Sequence, residues 1–145
     1  MKALLQRVRH AKVEVEKTVT GEISTGLLVF LGLERHDDAA AIEKMITRLL
    51  AYRVFSDETG KMNRSVADIN GGLLLVSQFT LAADTKKGLR PGFSTAAAPT
   101  DAKALYEHAL AFARTKHEKV EAGIFAADMQ VSLLNDGPVT FMLES

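Results

Sequence analysis

A chain of 145 residues, 47% hydrophobic and 25% charged, has the composition of a folded globular protein of one-domain size. Its 18 Lys+Arg and 18 Asp+Glu cancel, which excludes the cationic excess by which proteins coat nucleic acid without specificity; any RNA contact must come from a local patch. The absence of cysteine excludes disulfides, thiolate metal sites and a cysteine nucleophile, and with no signal-peptide pattern and no apolar run of membrane-spanning length the expected location is the cytoplasm.

Residues 2–9 and 12–17 read as two strands, the second with Val13 and Val15 alternating with Lys12, Glu14 and Glu16. Gly21 marks a turn into Ile23. The run Leu27-Leu28-Val29-Phe30-Leu31, flanked by glycines, is the pattern of a strand buried on both faces. Asp37-Asp38 supplies a helix N-cap, after which Ile42, Met45, Ile46, Leu49 and Leu50 form one apolar stripe at helical spacing. Residues 52–55 read as a short strand and Ser56-Asp57-Glu58-Thr59-Gly60 as a turn. Gly71-Gly72 opens a second buried strand, Leu73-Leu74-Leu75-Val76, which leads directly into Ser77-Gln78-Phe79-Thr80. Residues 85–100 hold Lys86, Lys87 and Arg90 and no acid, a basic loop. Pro99-Thr100-Asp101 opens a second helix with Leu105, Tyr106, Ala109, Phe112 and Ala113 on one face. Val131 and Leu133, then Val139, Phe141 and Leu143, give two final strands around the turn Asn135-Asp136-Gly137-Pro138. Strands and helices do not alternate strictly, so the expected class is α+β, a single domain over 1–145 with curled mixed or antiparallel sheet layered against two main helices.

The histidines, at 10, 36, 108 and 117, have no spacing that converges on one ion, so neither a metal nor another cofactor is expected. There is no Gly-x-Ser-x-Gly elbow and no phosphate-binding Gly-Lys-Ser/Thr loop. What remains is polar punctuation at the ends of buried strands. Ser77-Gln78-Phe79-Thr80 is either a strand turning outward with Thr80 in solvent, or a rigid strand end presenting N–H groups and hydroxyls to an oxyanion. Asn135-Asp136-Gly137-Pro138 is either a plain turn or a corner whose Gly-Pro bond has a purpose. The cations at Lys2, Arg7, Arg9 and Lys12, like those of the loop, are either solvated or contacts for RNA.

Over essentially its whole length the sequence resembles the D-aminoacyl-tRNA deacylase family of bacterial and eukaryotic type. The resemblance is carried by Gln6-Arg7-Val8 with Ala11, Val13 and Val15; Gly26-Leu27-Leu28-Val29; Gly60-Lys61-Met62-Asn63; Ser77-Gln78-Phe79-Thr80-Leu81; Ala83-Asp84-Thr85, Lys87-Gly88 and Arg90-Pro91; and Asn135-Asp136-Gly137-Pro138-Val139-Thr140. Ala82 and Gly92 depart from it, standing where many members carry an aromatic and a serine. The resemblance implies an editing hydrolase that cleaves the ester between a D-amino acid, or mischarged glycine, and the 3′-terminal adenosine of tRNA. It implies catalytic roles for Ser77, Gln78, Phe79 and Thr80, with the substrate's own ribose 2′-hydroxyl activating the water, since no His, Asp or Glu lies in that motif. It implies a homodimer in which a cis Gly137-Pro138 corner, with Asn135 and Val139, enters the partner's site and rejects L-amino acids. Lys86, Lys87, Arg90 and Arg7 are the candidate tRNA contacts, and the partners are tRNA and a second copy, with no DNA and no membrane. The alternatives are a non-catalytic RNA- or nucleotide-binding module on the same fold and a general esterase for small activated esters.

Overall fold

The continuous apolar runs become strands covered on both sides. In the computed structural model, which describes residues 1–145, β1 (Lys2–Val15) is the spine of the sheet. Along one edge its residues 2–8 pair antiparallel with β3 (Gly26–Gly32) and its residues 11–15 with β2 (Thr18–Ile23). β3 continues into two parallel neighbours, β6 (Gly72–Ser77) and then β7 (Val120–Ala122). The other edge of β1 is taken over its whole length by β8 (Gln130–Glu144), antiparallel. β4 (Phe55–Ser56) and β5 (Met62–Arg64) form a separate ribbon. Two helices, α1 (Ala39–Ala51) and α2 (Pro99–Lys116), complete the α+β class expected.

Alternation along each buried strand divides the core in two. Leu27, Val29 and Leu31 of β3, with Leu73 and Leu75 of β6, face the helices and join a cluster of 23 residues that includes Ile42, Met45, Ile46 and Leu49 of α1. Leu28 of β3 and Leu74 and Val76 of β6 point the other way, into a cluster of 7 with Val8, Ala11, Val13 and Ile23 inside the curl of the sheet. That second cluster is why these runs are apolar at every position rather than at alternate ones. The curl brings β2 over β7, and it needs glycine there: a Cβ on Gly21 would lie 2.5 Å from the Ala122 carbonyl oxygen. Helix α1 starts where expected, with the Asp38 carboxylate accepting the Ala41 N–H at 2.8 Å.

Four expectations are corrected. The two N-terminal strands are one, because pairing on both edges carries β1 through Arg9 and His10 with shifts of register instead of a break. The turn falls at Glu16 and Lys17, whose φ values of 49° and 66° make the tight two-residue connection that suits the twist of a hairpin, and Gly21 lies inside β2. Residues 52–54 are not a strand: Tyr52 caps α1, its N–H donating to the Leu49 carbonyl, and the strand is confined to Phe55 and Ser56. The two C-terminal strands are one strand with a protrusion, since the pairs Gln6–Thr140 and Val8–Asn135 leave residues 136–139 looped out along a continuous partner.

Candidate active site

β6 stops being a strand at Ser77. The Gln78 N–H still donates to the Leu31 carbonyl at 2.8 Å, and the chain then turns into a 3-10 helix, Phe79–Ala82, seated on the end of β3. Gly32 makes the seat possible, since a Cβ there would lie 2.6 Å from the Leu81 Cβ. The first residues of a helical turn have no helical acceptor for their N–H groups, so Phe79 and Thr80 carry free donors at the strand exit. The Gln78 side-chain amide donates to the Thr80 Oγ1 at 2.6 Å, which orients that hydroxyl.

A cleft of about 450 Å³ opens at this exit. Ser77, Gln78 and Phe79 line one side, and Phe125, Ala126 and Met129 line the other. Among its 11 lining residues Asp128 is the single ionisable one, and it is exposed. The wall formed by residues 125–129 was missed by sequence reasoning. Its one signal is short, small-residue punctuation, Ala126-Ala127-Asp128, immediately before the alternating Val131 and Leu133. Ala126 adopts φ 61°, and Gly123 is fixed by its N–H to the Leu75 carbonyl at 3.0 Å.

Tyr106 of α2 anchors the same point from beneath, its hydroxyl donating to the Leu75 carbonyl at 2.8 Å and lying 3.5 Å from that of Gly123. Burial pushes this phenol up to about 12 from its ordinary 10.0. The neutral form is therefore favoured by folding, and the stabilisation is complete below pH 10 and lost as pH rises through 12. Tyr106→Phe leaves the Leu75 carbonyl with its Gly123 partner, so the expected cost is about 1 kcal/mol, or ~3 °C in Tm at neutral pH. Melting curves from pH 9 upward should show the alkaline loss in the parent and its attenuation in the variant.

The second motif lies elsewhere in the chain. Gly137 has φ +143°, the Gly137-Pro138 peptide is cis, and both residues are exposed. Asn135 staples the corner shut: its Oδ1 accepts the Val139 N–H at 2.7 Å and its Nδ2 donates to the Val139 carbonyl at 3.2 Å and the Thr140 Oγ1 at 3.0 Å. Arg7, mostly buried, donates from Nε to the Asp136 carbonyl at 2.9 Å and from Nη1 to the Val54 carbonyl at 2.7 Å. β8 pairs with β1, two strands from β6, but the curl of the sheet returns its first residues to the exit, so that Val131 of β8 lines the cleft with Ser77 while the corner lies farther along the strand. Neither Asn135, Gly137, Pro138 nor Val139 lines the cleft of its own chain. One chain thus brings Ser77, Gln78, Phe79 and Thr80 together, and Asn135, Gly137, Pro138 and Val139 together, but not the two sets.

Lys86, Lys87 and Arg90 are exposed on a loop pinched at its base by the Asp84–Gly92 pair, whose reciprocal N–H···O bonds measure 2.7 and 3.0 Å. Arg7 is not with them. The two carboxyls held clearly below the ordinary range also lie outside the cleft: Asp57, through the Asn63 side chain foremost, and Asp68, through the Ser65 N–H.

A family profile described as D-Tyr-tRNA(Tyr) deacylase matches residues 4–144. The chain is 63% identical over 145 residues to a D-aminoacyl-tRNA deacylase of Stutzerimonas stutzeri (strain A1501), spanning 100% of both. It is 58% identical over 144 residues to that of Cellvibrio japonicus (strain Ueda107), spanning 99% of both. Among solved structures, the c-Myc DNA Unwinding Element Binding Protein superposes with a TM-score of 0.96 at 40% identity, over 100% of this chain and 99% of that one. A chain described as a "probable eukaryotic D-amino acid tRNA deacylase" superposes with a TM-score of 0.87 at 16% identity, over 98% and 97%, a likeness of fold.

Proposed function

The chain belongs to the D-Tyr-tRNA(Tyr) deacylase family and carries D-aminoacyl-tRNA deacylase activity, and we propose from this premise that hydrolysis takes place at the exit of β6 with water activated by the substrate. The observation that carries the reading is a cleft whose reactive wall is main chain and small polar groups, with no base in its motif. The ester carbonyl lies over the free N–H groups of Phe79 and Thr80, which take the negative charge of the tetrahedral intermediate; one such donor is typically worth about 10²–10³ in rate. Thr80, its oxygen already accepting from Gln78, gives its own proton to the substrate and positions it without attacking. The terminal ribose 2′-hydroxyl, held beside the ester by the substrate's own covalent structure, accepts the proton of the attacking water while passing its own to the departing 3′-oxygen, so that the acyl–oxygen bond breaks to free amino acid and an intact 3′-terminal ribose.

Discrimination between D and L rests on a second copy of the chain. The Gly137-Pro138 corner is exposed, braced by Arg7 and Asn135, and absent from its own cleft. Beside it on β8, Leu134, Phe141 and Met142 are 48%, 36% and 45% exposed, apolar surface that a homodimer would cover. Inserted into the partner's cleft, the corner's carbonyl groups obstruct an L side chain wherever it points. Glycine has no Cβ to obstruct, so glycyl-tRNA is also cleaved. Lys86, Lys87 and Arg90 take the phosphates of the tRNA end, whereas Arg7 spends its donors holding the corner. Such a substrate is met in the cytoplasm.

Release of D-tyrosine, L-tyrosine and glycine from their charged tRNAs tests the reading; equal release of both enantiomers, or none of either, overturns it. Gly137→Ala sharpens the test. Its Cβ would lie 2.7 Å from the Val139 Cγ2 and 3.2 Å from the Arg7 Nη2, on backbone that L-residues rarely adopt, so the corner must move. The D-over-L preference is expected to fall by about tenfold or more, the equivalent of ~1.4 kcal/mol. Because the displaced Arg7 also holds Val54, melting should fall by a few degrees as well, so the preference is measured well below the transition.

A further inference from the structure

Two large aromatic side chains stand in the open beside the cleft. Phe79 is 60% and Phe93 42% exposed, and their rings touch, centroids 5.1 Å apart and tilted by 47°. Phe79 lines the mouth of the cleft and Phe93 does not, so the pair makes a step from the cleft outward. The step is rigid. Phe79 sits on the 3-10 turn; Phe93 follows Gly92, both of whose backbone groups are bonded to Asp84, and its own carbonyl accepts the Ala96 N–H at 3.2 Å. Thr95, two residues on, donates its hydroxyl to the Ala82 carbonyl, tying the far side of the loop to the same turn. The loop that carries Phe93 also carries the exposed Lys86, Lys87 and Arg90, in a stretch from 85 to 100 without an acidic residue.

Exposed aromatic faces on a loop that also carries unpaired cations match one kind of partner, a single-stranded nucleic acid, whose bases stack and whose phosphates pair with the cations. An apolar partner would use the rings but have no use for the charges. With the ester at the β6 exit, as proposed above, a nucleotide leaving on the side of Phe79 meets the two rings.

We propose that Phe79 and Phe93 are a stacking platform for the base immediately upstream of the terminal adenosine, with Lys86, Lys87 and Arg90 on the adjoining phosphates. This rests on the editing reading above and adds a binding determinant outside the reacting centre. Stacking is tolerant of sequence, so the platform grips the unpaired end of a tRNA whatever its body or its amino acid.

The test is a double-mutant cycle on binding. The probes are two acceptor-stem minihelices bearing a non-hydrolysable 3′-amide of D-tyrosine, one intact and one abasic at the penultimate nucleotide. For the parent protein the abasic probe is expected to bind about 5- to 150-fold more weakly. With Phe93→Leu the intact probe should lose most of that factor and the abasic probe nothing further, while Phe93→Tyr, which keeps a ring, restores the difference. Equal loss with the abasic probe in parent and Phe93→Leu overturns the platform. So does a Phe93→Leu chain that sediments at a smaller size with unchanged probe affinity, which would make the patch a contact between copies. Hydrolysis of D-tyrosyl-tRNA, assayed in parallel, separates the two failures: activity without coupling removes the platform alone, and inactivity removes the editing reading.

Discussion

D-aminoacyl-tRNA ending in 2′-deoxyadenosine is expected to be cleaved about 10²–10⁴-fold more slowly than the ribose-ended substrate under single-turnover conditions, the range a positioned general base contributes. The expectation comes from what the cleft holds. Of its 11 lining residues only Asp128 can ionise, and that side chain is exposed to solvent and lies outside the Ser77–Thr80 motif. The Thr80 oxygen accepts a hydrogen bond from the Gln78 amide, and no His, Asp or Glu stands in its motif to draw off its proton. On the proposed mechanism the substrate supplies the base, and removing it should cost more than any single side chain. Asp128→Asn should leave the single-turnover rate within a few-fold of the parent. Thr80→Ala, which removes an orienting donor but leaves both main-chain N–H groups, should cost about tenfold, the equivalent of ~1.4 kcal/mol. The opposite ranking, with the deoxy substrate still rapidly cleaved and Thr80→Ala or Asp128→Asn inactive, would move the base onto the protein and sink the mechanism.

Gly26→Ala is expected to cost about 4 kcal/mol or more, the range reserved for the most damaging single substitutions. At this point the backbones of β3 and β6 are nearly in contact. A Cβ on Gly26 would lie 1.9 Å from the Gly72 carbonyl oxygen and 2.7 Å from its carbonyl carbon. Backbone cannot rotate away as a side chain can, so the strands must part where Gly72 is itself pressed against Ile23, its own Cβ position being 2.6 Å from the Ile23 Cβ. That separation reaches both halves of the core, because Leu27 and Leu73 on the helix side and Leu28 and Leu74 inside the curl are the next residues of the two strands. The midpoint of thermal unfolding should drop by ~8–16 °C. A variant melting within a few degrees of the parent would show that the strands part cheaply. Gly60→Ala is the control: nothing lies within 4 Å of that Cβ, and the cost there is confined to the strain of φ +81°.

The elements with one dominant driving force were legible in the chain. Five apolar residues at helical spacing behind Asp38 could bury themselves in only one way, and they form α1 with the cap expected. The runs at 27–31 and 73–76 became strands because apolar residues at every position require cover on both faces. Less legible was anything decided by a partner distant in sequence. Whether β1 breaks near Arg9 depends on β8 running along its other edge, and whether residues 135–138 reverse the chain or bulge from it depends on β1 remaining there to pair with. Gly21 and a turn glycine look alike in sequence; the approach of Ala122 tells them apart. The strand exit at Ser77 was readable as polar residues ending an apolar run, but the opposite wall, residues 125–129, was not. Its place comes from Tyr106 and Leu75, neither of which is near it in sequence.

The guanidinium of Arg7 works as a rivet through three layers of chain. Rooted in β1, it grips the looped-out corner at Asp136 and, with another nitrogen, the carbonyl of Val54 just past the end of α1. Disturbance of the helical layer is therefore transmitted to the corner through Arg7, as it is to the strand exit through Tyr106 of α2 and the Leu75 carbonyl. If the corner sorts hands as proposed, accuracy and speed both answer to the same helical layer, and loosening it by heat should blunt the two together.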